Sequence, residues 1–127
     1  MGISFPLFCT AAGQAILAAL GPAATKRLLP EHFERFTPST HPDLASLERE
    51  LDEVRHTGIA YDREEHTLGI CAIGMVLQAS DQNWYAVSVP LPAQRFYGQK
   101  NRLAISLTTS LNAYCQGTTD RLFSRST

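Results

Sequence analysis

Apolar positions along the chain fall into two periods, and these divide it into elements. Ala11 to Leu20 is an almost unbroken apolar run at helical length; Thr10 is placed to cap it, and Gly21-Pro22 ends it. Pro22 suits the first turn of a short second helix through Leu29, stopped by Pro30. Phe33 to Asp43 carries two prolines and reads as a loop with at most one short extended piece. Leu44, Leu47, Leu51 and Val54 then recur at i, i+3, i+7 and i+10 among charged residues. This predicts an amphipathic helix over 43–57, closed by Gly58.

The period changes to two after Gly58. Strands are expected over 59–65, 70–78 and 84–91, the last two joined by the turn Ala79 to Asn83 as an antiparallel hairpin that Pro90 and Pro92 terminate. A final helix is expected over 98–116, with the stripe Leu103, Leu107, Leu111 and Tyr114 and a stop at Gly117. The fold class is α+β, an antiparallel sheet covered by helices. Residues 1–117 are expected to make one domain, and 118–127 a polar C-terminal tail that frays. So small a sheet leaves an exposed edge, which favours association with a further copy.

Composition narrows the function. With 44% hydrophobic and 18% charged residues the chain is an ordinary globular domain rather than a disordered or fibrous one. A formal charge of −1 offers no footprint for a phosphate backbone, so the chain is not expected to hold DNA by itself. No apolar run has the length of a membrane span, and the first twenty residues lack the basic start of a signal peptide. Cys9, Cys71 and Cys115 are odd in number and lack metal-type spacing, which fits reduced thiols in a cytoplasm. No nucleophile elbow, zinc-protease, phosphate-loop or dinucleotide motif is present, and no enzyme, metal or cofactor is expected.

The candidate chemistry gathers at the start of the first helix. Its N-terminus offers unpaired N–H groups and partial positive charge. Ala11, Ala12 and Gly13 are small enough to let a carboxylate approach that backbone, with the Thr10 hydroxyl as a further donor; the alternative is close packing of small residues on the sheet. Cys9 as a nucleophile lacks a base tied to it by any motif, and a buried inert thiol is the better reading. Strand alternation puts Tyr61 and Arg63 on one face, and Asp62 and Glu64 on the other. Ser88 shares a face with Ala86 and Pro90 and offers a hydroxyl to an apolar pocket, or a purely local bond. Phe5 and Ile70 read as pocket wall or plain core, and Trp84 as an interface or core residue.

The segments "PLFCTAAGQAILAAL", "FTPSTHPDLASLERELDEVRHTGIAYDREEHTLGICAIGMVL" and "AVSVPLP" stand in an order that resembles the effector-binding domain of IclR-type bacterial transcription regulators, over about residues 2–116. The resemblance implies a GAF/profilin-like sheet with helices that binds a small metabolite, with a small carboxylate as the candidate, and associates into a dimer or tetramer. It implies that Thr10, Ala11 and Ala12 help form the effector site, that Asp62 hydrogen-bonds a ligand hydroxyl or amine, and that Ala72, Ser88 and Pro90 surround the same pocket. In the family a winged helix-turn-helix domain, which would carry DNA binding, precedes this one. Neither it nor the domain's first strands are found in this sequence, so an N-terminally truncated domain is expected. Phe8, Gln14, Cys71, Ala72, Pro90 and Leu91 depart from the family pattern, so the ligand need not be a usual one. An association module whose pocket has degenerated is the rival expectation.

Overall fold

The computed structural model describes residues 6–123. Helices α1 (Ala11–Leu20), α2 (Pro22–Leu28) and α3 (Leu44–Thr57) precede strands β1 (Ala60–Arg63), β2 (Ile70–Gln78) and β3 (Trp84–Pro92); α4 (Ala93–Gln116) and a two-residue β4 (Arg121–Leu122) follow. The N-caps act where side-chain chemistry allows. The Thr10 hydroxyl accepts the Gly13 N–H at 3.1 Å, and the Asp43 carboxylate accepts that of Ser46 at 2.9 Å. Gly58, at φ 79°, closes α3 in the left-handed conformation.

The sheet is antiparallel, in the order β1-β2-β3. Register puts Asp62 opposite Ala72 and Ala72 opposite Pro90, and sets Gly74 between Ala60 and Ser88. Because residues two apart share a face, one face carries Asp62, Ala72, Gly74, Ser88 and Pro90, and the other carries Tyr61, Cys71, Ile73 and Leu91. Each face has its own core. The first packs Ala60 and Val76 against Leu17 of α1 and Leu47, Leu51 and Val54 of α3. The second packs Cys71, Ile73 and Leu91 against Phe96 of α4.

Three expectations are corrected. Helix α4 starts at Ala93, five residues before the expected 98: Ala93, Gln94 and Arg95 are good helix formers, and the wholly buried Phe96 anchors their turn on the second core, ahead of Gly98. Its stripe is less covered than the spacing implies: Leu103 and Leu107 pack on the second core, but Tyr114 is half exposed and donates its hydroxyl to Asp120 at 2.8 Å. The tail after Gly117 is not simply frayed. Leu122 and Arg121 pair with Leu77 and Gln78, and Phe123 stands edge-on to Trp84 at 5.8 Å, where Trp84 packs partly buried against the first core.

Candidate functional site

Where α1 meets the sheet, its backbone lies almost against β2. A β-carbon on Gly74 would sit 2.7 Å from the Ala11 carbonyl oxygen, so only glycine admits this approach. Beside this contact the helix start and the sheet diverge and enclose a cavity of about 480 Å3. Thr10, Ala11, Ala12, Asp62, Ile70, Ala72, Ser88 and Pro90 all line it; Phe5 lies outside the described residues. Gly13, already expected at the helix start, lines it too, as do His66, Leu7 and Ile16, the last two not expected from sequence. Leu7 and Ile16 read as ordinary core there. His66 follows the end of a strand, and nothing in its local pattern marks a direction.

The walls are apolar, and the polar groups are few. Gly13 and Gln14 bond back to Thr10, but the N–H groups of Ala11 and Ala12 find no acceptor among the described residues. The Thr10 hydroxyl is not the spare donor expected of it: its proton goes to the Pro6 carbonyl at 3.0 Å while its oxygen caps Gly13. Asp62 is buried, and its Oδ1 accepts the Glu65 N–H at 2.8 Å. Burial pushes its carboxyl up to about 6, against the lowering effect of that hydrogen bond. Among the described residues no lysine or arginine lines the cavity; Asp62 and His66 are its ionisable side chains.

The acid expected to share Asp62's face is corrected. Strand β1 ends at Arg63, and Glu64 turns with φ 60°, which sends its carboxylate to the Gly69 N–H at 2.9 Å and the Tyr97 hydroxyl at 3.2 Å. Glu65 swings back into the molecule instead and is 4% exposed. It receives the Gln14 amide at 2.8 Å from a position 51 residues away in the chain. Cys9 is fully buried, and burial, ahead of the charges of Asp62 and Glu65, pushes its thiol up to about 12. It keeps its proton at any ordinary pH, which suits a packing group and not a nucleophile.

Asp62 carries a pH prediction. A carboxyl raised in the folded state binds protons that the unfolded chain releases, so its contribution to stability falls as pH rises from about 4 towards about 6. Asp62→Asn removes that loss while keeping an acceptor for Glu65. The variant is expected to gain stability over the parent at pH 7.5 and to show little gain at pH 4, as read by urea denaturation at both values.

The architecture is thus an antiparallel sheet with helices on both faces and a cavity at the start of α1. The chain belongs to the family described as bacterial transcriptional regulator IclR C-terminal, which matches residues 1–116. It is 48% identical over 124 residues to the HTH-type transcriptional regulator Rv1719 of Mycobacterium tuberculosis, covering 95% of this chain and 48% of the relative. It is 32% identical over 110 residues to the HTH-type transcriptional regulator TtgV of Pseudomonas putida, covering 87% of this chain and 42% of the relative. The crystal structure of the Agobacterium tumefaciens repressor BlcR superposes with a TM-score of 0.79 at 26% identity, over 89% of this chain and 47% of that one. The chain thus spans about half the length of the relatives it matches. These relatives are transcription regulators, not enzymes. No helix among the described residues is long and apolar enough to cross a membrane.

Proposed function

We propose that this domain senses a small organic acid and couples its binding to the association of subunits in an IclR-type regulator. The observation that carries this reading is the pair of N–H groups of Ala11 and Ala12, without an acceptor among the described residues, at the positive end of α1 on the wall of a mostly apolar cavity. A carboxylate fits those donors. With no basic side chain among the described lining residues, the cavity tolerates little further negative charge beside Asp62. This favours a monocarboxylate with a hydroxyl or amine facing Asp62 and Ser88. DNA contact would belong to a winged-helix domain, and the setting would be the cytoplasm. The edge of β3 away from β2, with no partner among the described residues, and the half-covered α4 support association into a dimer or tetramer.

The same edge supports the rival reading, an association module that binds no ligand. Thermal-shift titration with small monocarboxylates and their neutral amides separates the two. Under the sensor reading at least one acid raises the melting temperature in a concentration-dependent way while its amide does not. No shift with any acid up to millimolar concentration would leave the association module standing.

A further inference from the structure

Behind the cavity wall lies a buried carboxylate with an unusual set of partners. Glu65 Oε1 accepts the Gln14 amide at 2.8 Å and lies 3.2 Å from His41 Nε2, and its Oε2 accepts the Arg63 N–H at 3.2 Å. Gln14 is itself wholly buried, and its Nε2 donates to both Glu65 and the Phe8 carbonyl, while its own Oε1 has no partner among the described residues. The amide nitrogen, rather than the oxygen, faces Glu65 because both of its neighbours there are acceptors. The Glu65 backbone is tied as well: its carbonyl accepts the Thr40 hydroxyl at 2.6 Å, and its N–H holds Asp62. One residue therefore joins the start of α1, the loop before α3, and the acid that faces the cavity.

Among the described residues His41 is the one cationic side chain that reaches this carboxylate. We propose that His41 and Glu65 form a proton-operated tie that sets the wall of the cavity through Asp62, a device that goes beyond ligand binding and needs no ligand to operate. When His41 is protonated, an ion pair fixes the loop to Glu65, and His41 Nδ1–H gives its other bond to Ser46 Oγ at 2.8 Å. When His41 is neutral, Glu65 remains a buried charge with only neutral donors, and its hold on Asp62 and Gln14 loosens.

The surrounding charges set the sense of the response. Glu50 and Arg49 of α3 face His41 with opposite effects, and Glu50 is itself engaged by Arg63 at 3.2 Å. Asp62 and His66 line the cavity, the buried Cys9 feels the charges of Asp62 and Glu65, and Glu64 turns away to Gly69 and Tyr97. The bond to Glu65 raises the titration of His41 above its ordinary 6.5, outweighing the opposing effect of burial. A histidine raised on folding contributes stability that is complete below its unfolded value and is lost as pH rises through the folded one.

Histidine and amide NMR signals of the full chain, followed from pH 5 to 9 without ligand, test this. His41 is expected to titrate above the ordinary histidine value, and to fall to that value or below it in Glu65→Gln, where burial is no longer offset. The Asp62 and Glu65 amide signals are expected to carry the His41 midpoint in the parent and to lose it in His41→Gln, which keeps a donor without the charge. Asp62's own lower transition should persist in that variant. His41→Gln lies on a partly exposed loop, so it also serves if Glu65→Gln fails to fold. A His41 midpoint unmoved by Glu65→Gln, or an Asp62 amide that carries the His41 transition unchanged in His41→Gln, would overturn the proposal.

Discussion

Gly74→Ala is expected to lower stability by about 1–3 kcal/mol, the usual cost of forcing a methyl group into a packed interior, although it adds a single carbon. The added carbon would meet the Ala11 carbonyl oxygen at 2.7 Å and the Ala11 carbonyl carbon at 2.8 Å, both backbone atoms. No rotamer change relieves such a contact; the start of α1 has to lift from the sheet. Gly98→Ala is the matched opposite. It stands in α4 with no atom within 4 Å of the new carbon, so the helix gains about 0.5–1 kcal/mol from the entropy that glycine loses on folding. Urea midpoints of the two variants should therefore move in opposite directions from the parent. Equal or same-sign shifts would contradict the close approach of α1 to β2 that shapes the cavity.

Ala12→Leu should weaken binding of an acid that stabilises the parent by at least tenfold, with the fold retained. Ala12 is only half buried and borders the cavity, so a leucine finds room to fold but stands over the N–H groups of Ala11 and Ala12. Hydrogen bonds to a charged acceptor contribute about 1.5–3 kcal/mol each, and about 1.4 kcal/mol is a factor of ten. Cys9→Ser should leave binding nearly intact, because the thiol is wholly buried and absent from the lining. Isothermal titration of both variants with the acid that gives the largest thermal shift checks the pair. If Cys9→Ser abolishes binding and Ala12→Leu does not, the helix-start account fails.

That Thr10, Asp62, Ala72, Ser88 and Pro90 line one space is what the family resemblance implied; alternation alone groups only residues of the same strand. Period two puts Asp62, and then Ser88 with Pro90, on a single face of their strands. The hairpin and the short β1 set the register that brings Asp62, Ala72 and Pro90 side by side. Small residues at the start of α1 told that something approaches its backbone, but not what. The sheet does so at Gly74, and the cavity does so beside it. Pattern failed at Glu64 and Glu65, where one positive φ reversed which of two adjacent acids turned inward. It failed again at Thr10, whose hydroxyl is used up by Pro6 and Gly13.

The elements, their faces and the family were thus legible in the order of residues, because periodicity and turn chemistry act over a few positions and each face must be buried as a unit. Contacts between distant segments settled the rest: that α4 begins on Phe96, that the tail adds β4 to β2, and that Gln14, His41 and Glu65 meet. A buried carboxylate takes whichever donors the packing brings within reach, and no local period encodes which ones those are.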